Sequence, residues 1–251
     1  MLHLGITEAS SPVFQHLYKL SFNLQRYFDT DRERKEVLKI LSPYTHVNYK
    51  RLQFLWNAAE TCAQLGIKGG FVETGVWRGG CAGILSYSAK KYGYKNSLYF
   101  FDSFEGLPQP NIKDGFDAKV FANNTNVGKL KPIYKIKAEE KYIHELLFDR
   151  LDIDAKKVHI VKGWFQNTLP IYKNKIQSIA ILRLDGDWYE STKVALDNLY
   201  ELVVRGGYVI IDDYFFWDGC RKAVDEFIQE NNLSVVIKKQ DASGAYFIKT
   251  N

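Results

Sequence analysis

Hydrophobic positions along this chain fall into two regimes that meet near Gly66. Before it, apolar residues recur every three or four positions. The charged run 31–36 opens a segment in which Val37, Leu38, Ile40 and Leu41 supply the apolar positions, and Pro43 ends it. Leu52, Leu55, Trp56, Ala59 and Cys62 repeat the helical spacing, with Gly66 placed as a C-cap. Residues 1–66 are therefore predicted to form an N-terminal helical layer. After Gly66, short apolar runs alternate with helical patterns. Strands are predicted at 70–74, 98–102, 158–162, 179–185 and 208–213, and helices at about 79–92, 139–150, 189–203 and 217–231. Runs that stay apolar at successive positions mark strands buried on both faces. Their alternation with helices predicts a doubly wound α/β sheet, mostly parallel. Two last strands, 234–239 and 245–249, flank the turn-rich 240–244 and predict a closing antiparallel hairpin.

Where these apolar runs give out, acids appear: Glu73 before Gly75, Asp102, Asp185 and Asp187 around Gly186, and the pair Asp212-Asp213. Ligands of open parallel sheets bind just beyond the carboxyl ends of the strands. If the strands are neighbours, the carboxylates converge. Asp185, Asp212 and Asp213 would then repel one another without a cation between them. Hard oxygen donors suit Mg²⁺ or Mn²⁺. Asp187 stands off the strand, where it can act as a general base or cap the next helix. His144, alone in a predicted helix, reads more readily as structural than as catalytic.

The turn from Glu73 through Gly75, Arg78, Gly79 and Gly80 is glycine-rich and opens a helix, a suitable place for close approach to a ligand. It lacks the first glycine of the dinucleotide fingerprint, which counts against a nicotinamide oxidoreductase. Glu73 suits a ligand with a positive centre, such as the amino group of S-adenosylmethionine. Asp102 can hold two ribose hydroxyls or cap the segment that follows. Gly163, Trp164 and Phe165 follow the third strand, where rings can stack on an adenine or pack in the core. The stretch 103–137 has little periodicity, holds Pro108, Pro110 and Pro132, and is expected to be a lid.

Composition changes this picture little. The 251 residues carry 46% hydrophobic and 25% charged side chains, the balance of a soluble globular protein. A net charge of +5 with no basic stripe gives no case for nucleic acid. Cys62, Cys81 and Cys220 form no metal or disulfide pattern. Residues 1–11 lack the features of a secretory signal, and no apolar run approaches the roughly 18 residues that span a bilayer. A cytoplasmic protein without membrane association is expected.

Five parallel strands, a helix and a terminal hairpin are the layout of the class I methyltransferase fold. The segments 71–80 (FVETGVWRGG), 101–108 (FDSFEGLP), 162–170 (KGWFQNTLP), 182–192 (LRLDGDWYEST) and 209–214 (VIIDDY) together resemble the macrocin O-methyltransferase family. That resemblance implies a metal-dependent enzyme that methylates sugar hydroxyls from S-adenosylmethionine, with Mg²⁺ or Mn²⁺. It implies cofactor contacts from Glu73, Gly75, Arg78, Gly79, Gly80, Asp102, Ser103, Gly163, Trp164, Phe165 and Asp185. The segment 45–49 looks like the one that wraps the methionine end, which brings in Thr45 and Val47. It implies metal ligation by Asp185, Asp212 and Asp213 and makes Asp187 the base beside Asp185. A small acceptor is expected (a sugar, nucleotide sugar or glycoside) and a homodimer is a family expectation. The layout reads as 1–66 capping a methyltransferase domain at 67–251, effectively one structural domain.

Overall fold

The computed structural model describes residues 12–123 and 128–250, the side chains of 12–15 excepted. The stretch 1–11, read above for a signal, lies outside the described residues, as does part of the expected lid. Seven strands form one sheet: β1 Gly70–Thr74, β2 Leu98–Asp102, β3 Val158–Lys162, β4 Ile179–Leu184, β5 Val203–Ile211, β6 Lys238–Lys239 and β7 Ala245–Ile248. Their order is β3-β2-β1-β4-β5-β7-β6. The first five are parallel, and β7 runs antiparallel between β5 and β6. Strand order reverses between β1 and β4, so the tips that carry Glu73 and Asp185 flank the switch point.

The helices are α1 Pro12–Phe28, α2 Arg32–Leu41, α3 Tyr49–Gln64, α4 Gly80–Lys91, α5 Gly115–Phe121, α6 Lys141–His144, α7 Phe165–Tyr172, α8 Tyr189–Leu199 and α9 Asp218–Glu230. Local chemistry starts them. Asp31 caps α2 by accepting from the Arg34 amide, and Asn48 caps α3 by accepting from the Arg51 amide, both at 3.0 Å. Successive strand residues face opposite sides of the sheet. Phe71, Phe100, Ile181 and Ile210 pack with Phe22, Leu38, Leu52 and Ile84 of the N-terminal layer and α4. Val72, Phe101, Leu182 and Ile211 pack with Leu169, Leu196 and Phe227 of α7, α8 and α9. The N-terminal helices thus share a core with the sheet.

Several expectations differ from the structure, among them the strand expected at 234–239, of which only Lys238–Lys239 form β6. The predicted helix at 139–150 is the single turn α6 followed by a wider π-helical turn at Glu145–Arg150. Helix α7, which no pattern singled out, carries Pro170 inside it. The stretch 103–137 is a folded strap rather than a structureless lid, as far as its described residues go. Leu107 and Lys135 pair through the Leu107 amide, the Ile133 amide returns to the Leu107 carbonyl, and α5 lies between. The Trp188 indole N–H donates to the Pro108 carbonyl at 2.9 Å. Buried Asp114 accepts from the Tyr189 amide, and Phe121 packs on Trp188 and Trp217. These anchors are distant in sequence, so local periodicity does not reveal them. Among the described residues no helix is long and apolar enough to cross a membrane.

Candidate active site

The site forms where β1, β2, β4 and β5 end. Gly75 follows β1 with φ +88°, and a Cβ there would lie 1.7 Å from the Asp185 carbonyl oxygen. Only glycine lets the β1 and β4 tips close this far. Asp102, at the end of β2, fastens two loops. One oxygen accepts from the amides of Val76 (2.8 Å) and Trp77 (3.0 Å), the other from Phe104 (2.7 Å). Trp77 and Phe104 both hold left-handed backbone, φ 50° and 55°, which is unfavourable for non-glycine residues. The carboxylate offsets that cost. Burial raises its pKa while the three amides pull it back. Oδ1, with a single donor, keeps accepting capacity for a hydroxyl.

A cleft of about 560 Å³ opens above these tips. Gly75, Asp102, Ser103, Trp164, Phe165 and Asp185, all expected at the cofactor, line it, as does Asp187. Rings and a few polar side chains line it together, as they do in sites for small organic ligands. The other expected cofactor residues lie outside that lining. A Cβ on Gly79 would meet Ile143, and one on Gly80 would meet Thr45, so these glycines make room for the protein itself. Gly163 similarly faces Thr168. Buried Thr45 accepts from the Val47 amide at 2.9 Å. The Arg78 guanidinium lies 4.6 Å from the Trp77 ring and 4.7 Å from the Tyr142 ring, and His46 stacks on Trp77. His144 is exposed beside Glu140.

The carboxylates do not group as expected. Oxygens of Asp185, Asp187 and Asp213 lie within 4.8 Å of one another. Asp212, expected as a ligand with Asp185 and Asp213, is outside that group and is held by two arginines, one of them shared with Asp185. Its Oδ1 accepts from Arg183 Nη2 at 2.5 Å and its Oδ2 from Arg51 Nη1 at 2.6 Å. Arg183 is 2% exposed on β4 and also donates through Nη1 to Asp185 Oδ2 at 2.9 Å and to Glu73 Oε1 at 2.5 Å. Glu73 therefore faces an internal guanidinium, while its buried Oε2 has no partner among the described residues. Arg51, from α3, forks onto Asp241 with Nε and Nη2, at 2.7 and 2.9 Å.

This arrangement sets the electrostatics. Asp212 stays below its usual pKa because the two guanidinium charges outweigh its burial. Burial, with Asp212 adding repulsion, pushes Asp185 up to about 6. Burial and Asp185 push Asp187 up to about 8, against the Trp217 indole N–H that donates to it at 2.8 Å. Burial and its carboxylate neighbours raise Asp213. Glu73 rises to about 8, burial outweighing Arg183. Three adjacent carboxylates that resist ionising together form a donor set into which a divalent cation fits. Asp187 also holds left-handed backbone, φ 57°.

Sequence patterns missed Arg183, Arg51 and Trp217. A usable signal existed for Arg183, because a lone charge inside the apolar run 179–184 must find buried partners.

Comparison with known proteins fits this geometry. The family described as Macrocin-O-methyltransferase (TylF) matches residues 9–249. A demethyldecarbamoylnovobiocin O-methyltransferase of Streptomyces niveus is 33% identical over 210 residues, covering 82% of this chain and 76% of its own. An 8-demethyl-8-(2,3-dimethoxy-alpha-L-rhamnosyl)-tetracenomycin-C 4'-O-methyltransferase of Streptomyces olivaceus is 34% identical over 209 residues, again 82% of this chain and 76% of its own. The solved structure of the O-methyltransferase NovP superposes with a TM-score of 0.70 and 28% identity, covering 96% of this chain and all of that one. The sheet order and these likenesses show the class I methyltransferase fold, and a family match across nearly the whole length places this chain in the macrocin O-methyltransferase family of O-methyltransferases.

Proposed function

We propose that this protein moves a methyl group from S-adenosylmethionine to a hydroxyl of a sugar, or of a similar vicinal diol, beside Mg²⁺ or Mn²⁺. The acceptor would be a sugar, nucleotide sugar or glycoside in saccharide or natural-product biosynthesis. One observation carries the reading: a single cleft joins Asp102, Trp164 and Phe165 to the carboxylates of Asp185 and Asp187. Asp102 would receive the donor's ribose hydroxyls and the two rings its adenine. The unpartnered Oε2 of Glu73 is a buried acceptor suited to the donor's ammonium. Relatives support the acceptor class, since the Streptomyces olivaceus enzyme is named for a rhamnosyl substrate.

Asp185 and Asp213 would hold the cation, with Asp212 acting behind them through Arg183. When bound, the ion would acidify a neighbouring hydroxyl. Asp187 would take the proton. The Trp217 N–H fixes one Asp187 oxygen and so orients the other. Positioning in the cleft would supply much of the remaining rate.

The test is methyl transfer from labelled donor to a panel of sugars, nucleotide sugars and glycosides, with and without chelator. Transfer that continues undiminished after metal removal would discard the ion. Binding of NAD in place of S-adenosylhomocysteine would discard the donor. Asp187→Asn should lower kcat by roughly 10²–10⁴-fold while metal binding persists.

A further inference from the structure

Arg51 joins three parts of the molecule that are remote in sequence. It lies on α3, directly after the segment 45–49. It is 8% exposed, and its side-chain donors are engaged. Nε and Nη2 fork onto the Asp241 carboxylate in the β6–β7 turn, and Nη2 also meets Ser243 Oγ. Nη1 reaches Asp212 at the end of β5. Asp241 is itself anchored, accepting from Asn48 Nδ2 at 2.8 Å and from the amides of Ser243 and Gly244. The Phe215 amide donates to the Ser243 carbonyl, which ties the β5 tip to the same turn. From Asp212 the chain of bonds continues through Arg183 to Asp185.

We propose that Arg51 is a positioning residue for the metal centre. It fixes Asp212, which orients Arg183, which in turn aims Asp185 at the cation. The bidentate fork is the part that lysine cannot reproduce, since an ammonium is a point charge without a planar pair of donors. A guanidinium that bridges Asp241 and Asp212 holds the β5 tip against the hairpin turn and the N-terminal layer at once. Partners one step removed from metal ligands commonly govern affinity and activity nearly as strongly as the ligands do.

The inference rests on the metal reading above, and the experiment separates the two. Mn²⁺ binding is titrated by electron paramagnetic resonance for the parent protein, Arg51→Lys, Asp241→Asn and the double variant. S-adenosylhomocysteine binding is measured by calorimetry in the same samples. Arg51→Lys preserves charge, so a change reports geometry. Its Mn²⁺ affinity should fall about tenfold or more, while its S-adenosylhomocysteine affinity stays within about twofold of the parent. Asp241→Asn should do the same, and the double variant should be no worse than either single one, because both break one linkage. If the parent binds no Mn²⁺, both readings fall. If the parent binds it and the variants bind equally well, only the role of Arg51 falls. Parallel loss of Mn²⁺ and S-adenosylhomocysteine binding would make Arg51 merely structural and also overturn the proposal. Should Arg51→Lys fail to fold, Asp241→Asn answers in its place.

Discussion

Arg183→Met removes the charge at the centre of the site. The side chain is 2% exposed and makes charge-assisted bonds to Glu73, Asp185 and Asp212. Methionine approximates the length of the aliphatic stem, so little cavity arises. What remains is Glu73, 1% exposed, with neither oxygen partnered by Arg183, and an Asp212 held only by Arg51. Breaking one side of a buried ion pair costs about 3–5 kcal/mol. That is a large share of the roughly 5–15 kcal/mol that stabilises a folded chain. At about 2–4 °C per kcal/mol for a chain of this size, the midpoint should drop by roughly 6–20 °C. Thermal unfolding of metal-free protein at pH 7, followed by circular dichroism, measures it. Adding Glu73→Met should recover part of the loss, because it removes the most deeply buried of the acids that lose Arg183. A single variant that melts within about 2 °C of the parent would refute the reasoning, since the guanidinium would then carry no net stabilisation.

Three other outcomes follow from the same geometry. Gly75→Ala would push a methyl into the Asp185 carbonyl from a left-handed position, and should destabilise by about 2–5 kcal/mol as strain and overpacking combine; an unchanged melting curve would contradict it. Metal-free protein should lose stability as pH rises through about 6 and then about 8, the folded values of Asp185 and Asp187. Both lie above the ordinary 3.8, so the unfolded chain binds fewer protons across that window and stability falls with pH. Arg183, Arg51 and the Trp217 N–H oppose that rise, and Asp212 adds to it. Mg²⁺ should therefore raise the melting point more at pH 8 than at pH 5, and a flat Mg²⁺ effect would count against this acidic cluster as its seat. Trp217→Phe keeps the ring packing on Trp188 but deletes the donor to Asp187. It should cost about tenfold or more in kcat with little change in S-adenosylhomocysteine affinity, which steady-state kinetics and calorimetry would check.

Much of the fold is legible because strands within a covered sheet are apolar at most positions. The runs 70–74, 98–102 and 158–162 match β1, β2 and β3 residue for residue. Strand β5 starts at Val203, earlier than its apolar run, because Arg205, Gly206 and Gly207 interrupt the pattern while the backbone continues. Helix α7 is hidden by Pro170, which argues against a helix from sequence alone. The acids at the strand ends are visible for the same reason as the strands, since each terminates an apolar run. Which of them face one another is not visible. That depends on Arg183 and Arg51 together holding the two oxygens of Asp212, an arrangement made by side chains 132 positions apart (183 − 51). The strap at 103–137 is equally opaque, because Asp114 and Trp188 anchor it at long range.

Asp102 gives the two neighbouring loops a common hinge-pin. The turn after β1 and the turn after β2 hang from the two oxygens of a single side chain. An exchange of residues 103–107 designed to change selectivity would shift Trp77 as well, and an exchange at 75–79 would disturb Phe104. Loop grafting in this protein should treat the two turns as one cassette, transplanted together with the aspartate between them.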